Sequence, residues 1–268
     1  MDKLQKIFSR CRQENRAALI IFCSCGFPDM ESSERAIETA INAGADIIEL
    51  GVPFSDPMAD GSVIRKASEI AISNGANLTK ILDMAERLSK RHPETGFILF
   101  SYMNILYQYG LEKICRKLAA IGIDGILAVD LPIEEREELA KPCQENGLHL
   151  IALVSPATPI ERVRKIMAEA SGFIYSINVC GVTGVRDLQQ QEIAEHLAVL
   201  KENSSVPIAA GFGINDAKAA QRLSRIADGV IVGSAFIKIL SGAGEFSQRL
   251  EAAREFIADL AKNVRRQS

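Results

Sequence analysis

Short runs rich in isoleucine, leucine and valine recur along the chain at 18–24, 46–50, 97–101, 125–129, 149–154, 172–176, 207–210 and 229–232. None alternates cleanly between apolar and polar residues. Each therefore predicts a strand covered on both faces, as in a parallel sheet. Stretches with helical spacing lie between them, at 32–43, 63–73, 78–88, 111–121, 133–146, 160–169, 193–202, 216–224 and 246–262. A further helix, 2–13, precedes the first strand, and the segment from Gly233-Ser234-Ala235 opens a short one.

Strand centres fall near 21, 48, 99, 127, 151, 174, 209 and 231, mostly 22 to 28 residues apart, the length of one β-loop-α-loop unit. Eight such units predict an α/β fold, a (β/α)8 TIM barrel, formed by one domain over residues 1–268. A doubly wound open sheet is the rival, but no G-x-G-x-x-G follows the first strand. The gaps of 51 and 35 residues place added elements after strands two and six, and the helix from Ser234 adds one after strand eight.

Composition narrows the function. Lysine and arginine number 31 against 34 acidic residues, a formal charge of −3, so there is no basic excess to hold a nucleic acid backbone. The first fifteen residues are charged and amphipathic and lack the apolar core of a signal peptide, and no apolar run is long enough for a bilayer. A cytoplasmic location is the expectation. The six cysteines and three histidines show no metal-ligand spacing, so no metal is expected and the cysteines read as reduced, buried thiols.

In a barrel of this kind the chemistry sits at the carboxyl ends of the strands. Glu49 interrupts the second apolar strand at its end. Pointing inward, it would be desolvated and its pKa raised toward neutrality, as a group that gives and takes protons requires. An outward Glu49 paired with a lysine is the alternative. Asp60 follows at the end of a loop stiffened by Pro53 and Pro57, though an Asp before Gly61-Ser62 also suits a helix cap. Glycines cluster at Gly181-Val182-Thr183-Gly184, Gly211-Phe212-Gly213 and Gly233-Ser234. The loops after strands seven and eight, with a short helix, are the usual phosphate site of such barrels, so a phosphorylated metabolite is expected. Phe22, Phe100, Tyr102, Leu127, Val129, Leu153 and Tyr175 stand on strands or at their ends and could line a pocket for a flat aromatic ligand.

The stretch from Glu49 to Gly61 (ELGVPFSDPMADG) closely resembles the signature of the tryptophan synthase α-subunit family. Gly26-Phe27-Pro28, Tyr102-Met103-Asn104, Asp130-Leu131-Pro132 and the three glycine clusters extend the resemblance along the whole chain. It implies retro-aldol cleavage of indole-3-glycerol phosphate to indole and glyceraldehyde 3-phosphate. It also implies an α2β2 heterotetramer with a β subunit that carries pyridoxal phosphate, and no cofactor in this chain. By motif match Glu49 and Asp60 are the catalytic pair. Phe22, Tyr102, Leu127, Tyr175 and Thr183 match substrate positions, and Gly184, Gly213, Gly233 and Ser234 match the phosphate cradle. The stiff loop 52–58, Asn104 and the region 130–135 match the partner surface.

The chain departs from the family pattern at Val179-Cys180, where an arginine is usual, and at Phe27, Ser62 and Arg65. A catalytically weak α subunit that mainly activates its β partner is the second reading. A sugar-phosphate epimerase is the third, but its usual strand-end histidines are missing: His92 precedes Pro93, His149 begins a strand and His196 lies within a helix.

Overall fold

The computed structural model describes residues 2–177, 186–211 and 213–266, the side chains of 186–190 excepted. Its strands are β1 (Ala18–Ser24), β2 (Ile47–Gly51), β3 (Gly96–Ser101), β4 (Gly125–Ala128), β5 (His149–Leu150), β6 (Ala152–Val154), β7 (Ile174–Ile177), β8 (Ile208–Gly211) and β9 (Gly229–Val232). All pair in parallel, in the order β5-β4-β3-β2-β1-β9-β8-β7-β6.

The two ends of that order are one strand. β5 pairs with β4 and β6 with β7, and they are parted only at Ile151. The Ile151 N–H still donates to the Ile126 carbonyl at 2.8 Å. The sheet is thus a closed barrel of eight strands, and the expected run 149–154 is present with a change of neighbour in its middle.

The helices are α1 (Lys3–Gln13), α2 (Met30–Asn42), α3 (Ser62–Ser73), α4 (Leu78–Arg91), α5 (Met103–Tyr109), α6 (Leu111–Ala120), α7 (Glu137–Glu145), α8 (Ile160–Ala168), α9 (Arg186–Asn203), α10 (Ala217–Ser224), α11 (Ser234–Leu240) and α12 (Phe246–Asn263). Capping explains several boundaries. Asp29 accepts from Ser32 N–H, so α2 starts two residues before the periodic stretch. Asp2, Asn77 and Asp216 cap α1, α4 and α10 in the same way.

Three expectations need correction. An unanticipated helix, α5, follows β3; it is seven residues long, ends at Gly110 with φ 93°, and is too short to show a period. The stretch 133–146 is broken into a 3-10 turn (Ile133–Glu135) and α7. α9 begins at Arg186, seven residues before the periodic stretch at 193–202, which missed its first turns because they carry mostly charged and amide residues rather than an apolar stripe.

Two apolar layers result. One lies between the sheet and the surrounding helices and includes Ile48, Leu50, Leu99 and Val230. The other fills the barrel with Ile20, Ile47, Ile98, Leu127, Ile151, Phe173 and Ile231. α1 closes the base of this second layer with Leu4, Ile7, Phe8 and Cys11, a helical stripe that faces the barrel floor. Gly96 leaves room for it, since a Cβ there would stand 2.9 Å from Leu4 Cδ2. The described cysteines, Cys11, Cys23, Cys25, Cys115 and Cys143, are free and buried. Among the described residues no helix is long and apolar enough to cross a membrane.

Arg136 occupies the seam of the barrel. The residue is 6% exposed, and Nη2 donates to the Leu150 carbonyl at 2.6 Å and to the Glu169 carbonyl at 3.3 Å. A charge-bearing donor this deep is tolerated because it satisfies carbonyl oxygens where the strand changes partner. Arg136→Met is therefore expected to lower unfolding free energy by about 1–3 kcal/mol, the usual cost of a buried unsatisfied acceptor. Denaturant titration checks this, and an unchanged midpoint would dismiss the seam role.

Candidate active site

Strand alternation decides which residues face the barrel mouth. On β2, Ile48 and Leu50 pack outward under the helices, so Glu49 points inward. Its Cα neighbours in register are Phe22 on β1 and Ile98 on β3. Glu49 is fully buried, and neither carboxyl oxygen has a hydrogen-bond partner. Desolvation alone pushes its pKa from 4.5 up to about 8. The outward, lysine-paired alternative is thus overturned: the group sits in apolar surroundings and holds its proton at neutral pH.

Asp60 stands where the β2 loop meets α3. The N-cap of α3 is Gly61, and no side chain caps that helix, so Asp60 is not the cap its sequence context suggests. Partial burial raises its pKa from 3.8 to about 6, against the opposing effects of a Tyr102 hydrogen bond and the charge of Arg65. The Tyr102 hydroxyl also accepts the Ala59 N–H at 3.1 Å. The Tyr102 ring packs on Phe54 at 4.8 Å between centroids. One buried tyrosine at the end of β3 therefore fixes both the backbone and the carboxyl of the β2 loop.

A cavity of about 240 Å³ opens at the carboxyl end of the barrel. Phe22, Phe100, Tyr175 and Ile64 line it together with Gly213, Gly233, Ser234 and Lys238. Phe22 and Phe100 meet edge to face at 5.0 Å. Glycines at the strand ends make the space. A Cβ on Gly51 would lie 2.5 Å from the Phe22 ring, and one on Gly211 2.9 Å from the Tyr175 hydroxyl. Gly213 has φ 56°, a left-handed conformation that glycine adopts without strain. Tyr175 is near both carboxyls, since the charges of Glu49 and Asp60, after burial, help to push its pKa up.

The structure thus brings together Glu49, Asp60, Phe22, Tyr175, Gly213, Gly233 and Ser234 at one end of the barrel. Leu127 lies deeper, fully buried in the interior layer, and Tyr102 serves the loop rather than the cavity wall. Thr183 and Gly184 lie outside the described residues. Ile64 and Lys238 also line the cavity and were missed in the sequence. Lys238 had a signal: it stands four residues after Ser234 on one short helix. The partner-surface expectation also needs correction, for Pro53 and Pro57 are buried and Phe54 is half-buried, leaving Met58, 88% exposed, as the apolar tip.

Comparison with known proteins places the chain in a family. Residues 8–265 match the family model of the tryptophan synthase alpha chain. The chain is 40% identical over 252 residues to the tryptophan synthase alpha chain of Alkalilimnicola ehrlichii, covering 94% of this chain and 92% of that one. It is 37% identical to the Nitrosococcus oceani alpha chain over 265 residues, 99% and 97% of the two chains. Among solved structures, tryptophan synthase from Mycobacterium tuberculosis superposes with a TM-score of 0.90 at 34% identity, covering 98% of both chains. The tryptophan synthase alpha subunit of Legionella pneumophila gives 0.90 at 30% identity, again over 98% of both. The chain belongs to the tryptophan synthase alpha chain family, and is a lyase of tryptophan biosynthesis that cleaves indole-3-glycerol phosphate to indole and glyceraldehyde 3-phosphate.

Proposed function

We propose that Glu49 is the proton shuttle of this cleavage and Asp60 its electrostatic partner. The observation that carries the reading is a carboxyl without partners, buried beside Phe22 and kept protonated at neutral pH. Protonated Glu49 gives its proton to indole C3, which ends aromaticity and places positive charge toward the ring N–H. The Asp60 carboxylate, held by Tyr102, stabilises that charge. The carboxylate left on Glu49 then takes the proton of the side-chain hydroxyl. That carbon becomes the aldehyde as the bond to C3 breaks, and the bonding pair returns to the ring. Glu49 ends the cycle protonated, so no external acid or base is consumed.

Phe22, Phe100 and Tyr175 suit the flat ring, with Leu127 supporting them from below. Gly213, Gly233 and Ser234, with Gly184 by motif match, would hold the phosphate through backbone N–H groups, and Thr183 matches a substrate position. The chemistry asks for no cofactor in this chain. Pyridoxal phosphate belongs on the β subunit of an α2β2 assembly, and the cytoplasm is where such an assembly meets its soluble substrate. Exposed Met58, Asn104 and Asp130 mark the proposed partner face; Asp130 also accepts from the Met103 N–H at 2.8 Å and so ties two loops of that face together.

Glu49→Gln is expected to abolish cleavage, with a loss larger than the usual 10²–10⁴-fold because one group serves two steps. Steady-state indole release checks this, and near-normal turnover would remove Glu49 from the mechanism. Asp60→Asn is expected to slow the reaction strongly without lowering the melting temperature, since Asp60 caps no helix.

The pH–rate profile should be bell-shaped. The acid limb, near 6, follows ionisation of Asp60, and the alkaline limb, near 8, follows loss of the Glu49 proton. A profile flat from 5 to 9 would contradict the assignment.

Stability gives an independent check. The unfolded chain releases the Glu49 proton near 4.5 and the folded chain near 8, so the folded state binds more protons between them and this group's contribution falls as pH rises. Glu49→Gln should therefore melt like the wild type near pH 4 and be more stable near pH 9, by on the order of a few kcal/mol. An equal difference at both would argue against a buried, unpaired carboxyl.

The β2 loop joins Met58 at the partner face to Asp60 in the site, so a β subunit pressing on the loop would reposition Asp60. We expect very low kcat for the isolated chain and a large rise on titration with β subunit. High activity alone, with no response, would instead indicate a free-standing indole-releasing lyase.

A further inference from the structure

Apart from one residue, the cavity is lined without charge. Its other lining residues are aromatic, aliphatic, glycine, serine and asparagine, and Lys238 is the single charged side chain among the described lining residues. Ser234 and Lys238 are the first and fifth residues of α11 and share one face of the helix. Side chains on a helix lean toward its N-terminus, and one turn rises about 5.4 Å, a span that the four-carbon lysine stem covers. The ammonium group can therefore reach back along α11 to the side of the cavity where Gly233 and Ser234 stand.

Nothing else among the described residues claims this charge. The lysines that form ion pairs are Lys3, Lys90, Lys117 and Lys201, and Lys238 is not one of them. No aspartate or glutamate lines the cavity beside it. An exposed lysine beside a neutral, glycine-rich recess is free to pair with an anion that enters.

We infer that Lys238 is a specificity-determining residue that pairs with the phosphate of the substrate and favours a doubly charged phosphate monoester over an uncharged or singly charged end group. The inference rests on the phosphate reading above and assigns it a side-chain charge. Backbone N–H groups bind many small polar groups, whereas an added cation favours the dianion over each of them.

The test uses the complex with β subunit and three variants, Lys238→Met, Lys238→Gln and Lys238→Arg. KM and kcat for indole-3-glycerol phosphate are measured, together with inhibition constants for glycerol 3-phosphate and for indole. Met and Gln should raise KM and the glycerol 3-phosphate constant about tenfold, with kcat and the indole constant changed by less than about twofold. Arg should restore most of the loss, and the salt dependence of glycerol 3-phosphate inhibition should weaken in Met and Gln but persist in Arg. If Met and Gln inhibit like the wild type, Lys238 has no role, even though the wild type binds glycerol 3-phosphate. If indole and glycerol 3-phosphate constants rise together, the residue shapes the fold of the cavity and the inference is overturned. If the wild type does not bind glycerol 3-phosphate at all, the phosphate reading fails first.

Discussion

A carboxyl group without a hydrogen-bond partner, buried on the inner face of a parallel barrel, is the constraint around which this molecule is arranged. Leaving a polar group unpaired inside a protein is costly, and the fold absorbs that cost by keeping the group neutral rather than by pairing it. Register is what puts it there. Ile48 and Leu50 are committed to the layer beneath the helices, so Glu49 cannot turn outward without exposing the strand. The surrounding interior layer and the α1 plug keep water from the barrel base, which maintains the apolar environment that holds the proton.

Asp60 is governed by a different principle. It belongs to a loop, and a loop carboxyl has no pleat to orient it. Tyr102 supplies the orientation, with its hydroxyl bonded to the loop and its ring against Phe54. The pair therefore has one member fixed by the sheet and one by a side-chain brace. Asp60 is the member that a neighbouring protein could move, because the same loop carries exposed Met58.

Much of this was legible in the sequence because it depends on local pattern. The strands read as uninterrupted apolar runs, and a lone glutamate in such a run is conspicuous. What was not legible depends on contacts between distant segments. The division of the fifth run at Ile151 follows from barrel closure, which changes the strand's neighbour midway. α5 is too short for periodicity, and no local pattern shows that Asp130, in the loop after β4, accepts from the first N–H of that helix. Asp60 reads as a cap because Asp-Gly-Ser is good capping chemistry; only the backbone places Gly61 there instead. Pro53 and Pro57 read as an exposed stiff loop, and they are buried because Tyr102 and Phe54 draw that loop onto the barrel.

Phe22 stands between the two halves of the proposed site. On one side it is in register with Glu49, and on the other a Cβ at Gly233 would come 3.3 Å from its own Cβ. Glu49 and the Gly233 end of the cavity are therefore separated by the width of one strand, β1, and by the ring it carries. The barrel acts as a ruler: the spacing of its strands, rather than any side chain, sets the distance between Glu49 and the glycine-lined end of the cavity.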